Sequence, residues 1–322
     1  MNSLLHLASS DLANLGVGDW GYTEEPLSQS FLNFIDWVRS GRADDLSYLT
    51  DHRCELREDL RLVYPDFESA LVFLFPYPRC SKKSTHSRVA SYALSFQGKD
   101  YHTVIQERLQ MILSELKLSF ANLEGVTSVD IKPILEKDLA VRAGLGWIGK
   151  NSLLINLKLG SYFLIGSILL NKKIAEFKKA KTYLMTDHCG SCHLCLDTCP
   201  TSAIVEEKRF LDVKKCISYF TIEQFKESAA PIGYQTLTEN IFGCDLCQQI
   251  CPWNQKVQMI DIDQEKDRDN QLIQFFQRKS LKEIYQELSE MSNREFRRVF
   301  RSTVMARTGR VGLMKNIAPY LK

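Results

Sequence analysis

Eight of the ten cysteines fall between His188 and Trp253, in a pattern that few chemistries use. Cys189, Cys192, Cys195 and Cys199 form C-x2-C-x2-C-x3-C with Pro200 directly after. Cys244, Cys247 and Cys251 follow, with Pro252 after the last, and Cys216 lies between the two groups. Two-residue gaps let a short loop wrap three thiolates around one corner of a cubane, and the fourth Cys of each run then ligates the other cluster. That exchange assigns Cys189, Cys192, Cys195 and Cys251 to one [4Fe–4S] cluster. Cys199, Cys244 and Cys247 belong to the second, with Cys216 replacing the Cys missing from the second run. Zinc sites use paired C-x2-C units and need neither the triple nor the C-x3-C-P ending. Disulfides need an oxidising compartment, which nothing in the sequence suggests. Cys54 and Cys80 lie far off and read as structural thiols.

These ligands need elements to hold them. Residues 1–60 read as helical and amphipathic, with 28–38 as one helix. Residues 71–77 form a continuous apolar run, as a buried central strand would. Residues 80–88 are polar and basic, a loop. Val104, Ile105, Leu109, Ile112, Leu113 and Leu116 recur at helical spacing over 102–118. Residues 127–131 predict a short strand with Asp130 near its end. The stretch 139–151 begins helical and is broken by Gly144, Gly146 and Gly149. Such glycines mean either backbone passing something flat or bulky, or a tight turn. Residues 153–156 and 162–170 read as two strands joined at Leu159–Gly160.

A charged break at 178–181 precedes the cysteines. A polar, acidic connection at 261–269 then leads to helices at 271–290 and 293–300. The expected class is α+β, in three parts. These are an N-terminal mixed-sheet domain (1–177), a ferredoxin-like two-cluster domain (178–256) and a short basic helical region (257–322).

A chain of 322 residues is long for one core. With 44% hydrophobic and 25% charged residues it has the composition of a soluble globular protein. Its start lacks a basic segment followed by a long apolar core, so no signal peptide is expected. No apolar run approaches the length of a membrane span, so no membrane is expected as a partner. A reducing cytoplasm suits oxygen-sensitive clusters. The net charge of +2 is unevenly spread: residues 271–322 hold 11 Lys/Arg against 4 Asp/Glu, and the rest hold 30 against 35. A basic tail on an acidic body suits a polyanion such as nucleic acid, or is a solvated helical face.

Two cubanes alone would make an electron carrier. The first ~175 residues exceed what holding clusters requires, and are more economically the place where electrons are used. No GxGxxG opening a βαβ unit and no Walker loop is present. Residue logic alone therefore stops at a reductase with an unidentified second cofactor.

Resemblance adds to this. Val129-Asp130, Leu135-Glu136, the run from Ala143 to Ser152 (AGLGWIGKNS) and the eight cysteines resemble, in that order, the epoxyqueuosine reductases. Gly98-Lys-Asp-Tyr-His102, Asn293-Arg-Glu-Phe296 and the tail through Arg307 and Asn316 match as well. The resemblance runs over most of the chain. It implies reduction of epoxyqueuosine to queuosine at the tRNA wobble position, using cobalamin and two [4Fe–4S] clusters, on a catalytic core shared with reductive dehalogenases. It makes the N-terminal domain the cobalamin-binding one and Asp130 the acid that protonates the opened epoxide oxygen. That role calls for a pKa raised by burial.

By motif position Arg57, Tyr101, His102, Asp130, Lys150, Leu154 and Ser218 would line the cofactor. A D-x-H-x-x-G lower-ligand site is not met, since Asp100-Tyr-His102 continues Thr-Val-Ile105; base-off cobalamin without a histidine on cobalt is expected. Arg301, Arg307, Arg310 and Lys315 are spaced to meet phosphates of an anticodon stem-loop. Longer family members continue into helical repeats where this sequence ends at Lys322. A monomer suits a protein that admits a bulky RNA, and the electron donor is unidentified. The competing readings are a cobalamin-dependent reductase of small molecules, which turns over without RNA, and a ferredoxin-type carrier, which holds no cobalamin.

Overall fold

The computed structural model describes residues 9–43, 45–80, 88–179, 187–225, 228–235, 239–257, 259–260 and 270–321. The basic loop at 81–87, half of the charged break (180–181), the acidic connection at 261–269 and the first eight residues lie outside these. The chain divides into two compact units, residues 1–76 with 102–192 and residues 77–101 with 193–322. The segment 77–101, expected within the first domain, thus packs with the second unit. Residues 193–256 and the C-terminal helices share that unit.

The first unit is built on a four-stranded sheet. Its strands are β1 (Asp19–Thr23), β2 (Ser69–Pro76), β3 (Gly125–Ser128) and β6 (Phe163–Leu170). Their order is β1-β2-β6-β3. The short strands β4 (Trp147–Ile148) and β5 (Leu154–Ile155) form a separate hairpin. The expected α+β class holds, but all pairings in the main sheet are antiparallel rather than mixed. The reason is topological: β2 and β3 run the same way, and β6 enters between them, antiparallel to both.

Helices cover both faces, which is why β2 reads as an unbroken apolar run. On one face, Ala70, Val72 and Leu74 pack in a core with Leu139 and Ala140 of α3 (Glu136–Arg142) and with Ala143, which caps its end. On the other, α2 (Tyr101–Ser119) buries Ile105, Leu109, Ile112, Leu113 and Leu116, as its periodicity predicts. Gly166 of β6 lies so close that an added Cβ would meet Ile105 and Leu109 at 3.0 Å.

Residues 1–60 are not uniformly helical. A helix forms at α1 (Phe31–Arg39), but 19–23 is an edge strand paired with β2. A Cβ at Gly21 would stand 2.1 Å from the Ala143 carbonyl oxygen, so glycine lets β1 lie against the end of α3. The glycine-rich stretch is used in the same way. A Cβ at Gly146 would lie 2.1 Å from the Ile155 oxygen, which supports the tight-turn reading: the chain folds onto its own β5.

The second unit has its own core. Val89, Ala93, Leu94, Ile241 and Phe242 pack against α7 (Gln271–Phe276), α8 (Leu281–Glu290), α9 (Asn293–Phe300) and α10 (Met305–Ile317). Three shorter helices, α4 (Leu194–Thr198), α5 (Ile217–Ile222) and α6 (Leu246–Gln249), carry the cysteine region. The single helix expected over 271–290 is two. Ser280 starts the second with a capping box to Glu283, which fixes a new N-terminus there. Among the described residues no helix is long and apolar enough to cross a membrane.

Candidate functional site

Asp130 lies two residues beyond the end of β3, in the left-handed region with φ 53°. Its backbone N–H donates to Glu136 Oε1 at 2.7 Å. Its Oδ2 stands 3.7 Å from His102 Nε2, with the two side chains 65% and 31% exposed. The burial expected around Asp130 is therefore absent from it and found on its neighbour. Glu136, at the first turn of α3, is pushed up to about 8, first by burial and then by the Asp130 charge. The Asp130 N–H, His102 and Ser128 pull it partly back. Lys137 is drawn down by burial, against the pull of Asp130 and Glu136. Its Nζ donates to the Ser152 carbonyl at 2.7 Å. Glu136 is half-buried and Lys137 exposed at the start of α3.

The other expected cofactor residues divide. Lys150 is buried on the turn before β5. Arg57 is also buried, but its guanidinium donates to the carbonyls of Arg53 at 2.6 Å and Tyr48 at 3.0 Å. It also lies over the Phe34 ring at 5.7 Å. Those contacts make it a staple of its own loop. Leu154 belongs to the sheet–α3 core, so its side chain is spent on packing. Tyr101 packs its ring edge-on to Tyr92 at 5.9 Å in the second unit's core. Ser218, in the first turn of α5, sends its backbone N–H to the Cys216 thiol.

In the second unit, Cys199, Cys216, Cys244 and Cys247 come together. Burial pushes the Cys216, Cys244 and Cys247 thiols up. Cys247 feels Cys244, Cys216 and Cys199 through space, and Cys244 feels Cys216 and Cys199. Backbone N–H groups aim at the sulfurs: Ala203 to Cys199 at 3.3 Å, Ser218 and Tyr219 to Cys216, and Leu246 to Cys244. Among the described residues no three His, Cys, Asp or Glu groups are close enough to share one metal ion. Thiolates around a cubane stand farther apart, one at each iron. Four converging sulfurs, three of them desolvated and three receiving N–H bonds, fit an iron–sulfur core, whose potential such bonds tune. Of the other four, Cys192 N–H bonds the Cys189 carbonyl at 2.9 Å, Cys195 sits in α4 and Cys251 is buried. Cys54, read as structural, is buried.

The tail cations are mostly committed within the fold. Lys315 donates to the carbonyls of Phe220 at 2.7 Å and Gln224 at 2.6 Å. Its ammonium lies 3.9 Å from the Phe220 ring centroid, and burial pushes it down to about 8. Arg310 donates to Asn293 Oδ1 at 3.1 Å and to the Leu288 carbonyl at 3.0 Å. Arg307 pairs with Glu223 at 2.7 Å. Arg301 is exposed, as are Arg294, Arg297 and Arg298 on α9. Those three were not among the expected phosphate contacts. Their signal was an amphipathic helix that buries Phe296 and Phe300 and turns its arginines outward.

The family model described as "4Fe-4S double cluster binding domain" matches residues 188–254. The model described as "Epoxyqueuosine reductase QueG, DUF1730" matches residues 57–130. An epoxyqueuosine reductase of Leadbetterella byssophila is 32% identical over 283 residues, covering 88% of this chain and 86% of its own. A solved epoxyqueuosine reductase from Streptococcus thermophilus matches with TM-score 0.79 at 24% identity, over 98% of this chain and 80% of that one. A crystal structure of epoxyqueuosine reductase with a tRNA-Tyr epoxyqueuosine-modified stem loop matches with TM-score 0.78 at 25% identity, over the same shares.

Proposed function

The chain belongs to the epoxyqueuosine reductase family, and from that premise we propose that it reduces epoxyqueuosine to queuosine in tRNA. The observation that carries the reading is that one relationship, over 88% of the chain, takes in both the segment bearing Asp130 and the cysteine region. The similar structure holding a modified tRNA stem loop supports RNA as the substrate. Cytoplasmic residence follows from that substrate. A monomer is the simplest form that leaves the site open to RNA. The electron donor is a reductant of low potential. By role, residues 1–177 bind cobalamin, 178–256 hold the clusters and 257–322 meet the RNA.

In this reading Cys189, Cys192, Cys195 and Cys251 hold one cluster, and Cys199, Cys216, Cys244 and Cys247 the other. Cobalamin, when bound, supplies a low-valent cobalt able to open the strained epoxide. His102, Asp130, Lys137 and Lys150 would offer polar partners to a large ring rimmed with amides. His102 Nε2 faces Asp130, which supports base-off binding with no protein histidine on cobalt. Asp130 would hand a proton to the epoxide oxygen, sparing the release of an unprotonated alkoxide. His102 orients that carboxyl. RNA is positioned through phosphates by exposed arginines, Arg301 and those of α9, with the modified base splayed out to reach the acid.

The test is direct. Anaerobically reconstituted protein is given epoxyqueuosine-containing tRNA and a reductant, and queuosine is measured with iron and cobalt content. Queuosine formation only when both iron and corrinoid are present is expected. Absence of queuosine from fully loaded protein would overturn the reading, and turnover of organohalides instead would favour the small-molecule alternative.

A further inference from the structure

We propose that Glu136 is the residue that positions Asp130: its recessed carboxyl accepts the Asp130 backbone N–H and holds the loop in the left-handed turn that brings the acid's carboxyl to His102. The inference rests on the reading of Asp130 as the proton donor and adds a residue to it.

The loop needs such a hold. An L-residue in the left-handed region is disfavoured by contact between its Cβ and the backbone, and Asp pays less than most. Asp130 adopts φ 53° where the chain leaves β3, and Ile131 next to it is 67% exposed. Val129 and Ile134 are buried and anchor the ends of the loop. Between them, the Asp130 N–H is fixed at 2.7 Å to Glu136 Oε1. The acceptor rides on a rigid element, since α3 is pinned to the sheet by Leu139 and Ala140, both fully buried.

The acceptor's chemistry suits the task. A carboxyl accepts a hydrogen bond through its carbonyl oxygen whether or not it carries a proton. Burial keeps Glu136 protonated at neutral pH. The site can therefore hold the Asp130 backbone without a second negative charge beside a carboxyl that becomes an anion each time it gives up its proton. A lysine or arginine could not accept the bond, and a shorter carboxylate on the same helix would start one carbon farther back.

Three variants separate positioning from proton donation: Glu136→Gln keeps the accepting oxygen, Glu136→Ala removes it, and Glu136→Met removes it while filling the space. Amide hydrogen exchange at Asp130 is read in the holoenzyme, beside kcat and KM for the modified tRNA. In the Ala and Met variants, exchange at Asp130 should quicken about ten-fold and kcat should fall about ten-fold at unchanged KM, the effect of losing one hydrogen bond. The Gln variant should stay within about three-fold of the parent in both. Unchanged exchange at Asp130 in either variant lacking the acceptor overturns the proposal. So does a Gln variant as impaired as Ala, which would make the carboxyl's own proton the needed feature. If the parent enzyme fails to reduce epoxyqueuosine, the functional reading falls, while the exchange measurement still decides the role of Glu136.

Discussion

Cys247 is half-buried and crowded by protein, and three further thiols stand within electrostatic reach. Asp130, by contrast, keeps 65% of its side chain in solvent and sits in a backbone conformation that L-residues avoid. The thiol site is desolvated and lined with aimed N–H groups before anything binds. The acid site is open, and its order is supplied by a neighbour on another element. A cluster must hold its geometry through every electron transfer, so rigidity serves it. An acid that must meet a nucleotide arriving from solvent needs access first and order second. Burial falls on Glu136, whose Oε1 holds the Asp130 backbone, rather than on Asp130 itself.

That contrast makes the thiol site the less forgiving of the two. Cys216→Ala should lose the second cluster, seen as a fall in bound iron and in the cluster absorbance, and with it all measurable turnover. Retention of full iron content would remove Cys216 from the ligand set. Asp130→Asn comes next: it should keep iron and corrinoid content and lose roughly 10²–10⁴-fold in kcat, the usual worth of a positioned proton donor. Turnover close to that of the parent would show that the proton comes from elsewhere.

A smaller effect sorts the basic tail. Arg301→Ala should weaken tRNA binding several-fold and reduce the slope of log affinity against log salt by about one. Lys315→Met should leave affinity and slope unchanged, because its ammonium already serves the carbonyls of Phe220 and Gln224. Equal losses from both would merge the two cations into one surface. The smallest effect is on pH dependence. The folded-state pKa of Glu136 lies above its ordinary value, at about 8. Its contribution to stability is thus fully present below about pH 4.5 and is lost as pH rises through about 8. Glu136→Gln should flatten that part of the stability–pH curve in denaturant titrations. An unaltered slope would mean the carboxyl is not held protonated.

The cysteine runs were legible because C-x2-C spacing is local information, whereas the approach of Cys199 and Cys216 to Cys244 and Cys247 joins three distant segments and was reached only by the exchange between runs. The central strand and α2 were legible for a similar reason, since continuous and 3.6-residue apolar patterns state which faces are covered. Residues 19–23 were not. Asp-Trp-Gly-Tyr-Thr is too short and too mixed to declare a strand, and pairing with β2 about fifty positions onward decides it, as the Trp20–Phe73 register shows. The burial expected at Asp130 was misplaced by six positions because a motif names residue types and leaves their surroundings open. Charge spacing likewise identified the tail as basic. It could not tell that Arg310 and Lys315 answer carbonyls inside the fold while Arg301 faces water.

Asn316 is fully buried, and its side-chain amide bonds the carbonyls of Thr221 and Ile241 at 2.8 Å each. One end of that clasp is the helix that follows Cys216, and the other is the segment that leads into Cys244. Stripping iron would release both anchor points at once, so the final helix should become accessible to protease as the metal leaves. Loss of metal would then be felt at the final helix as well as in the electron path, and on the proposed reading of the tail it would weaken RNA binding.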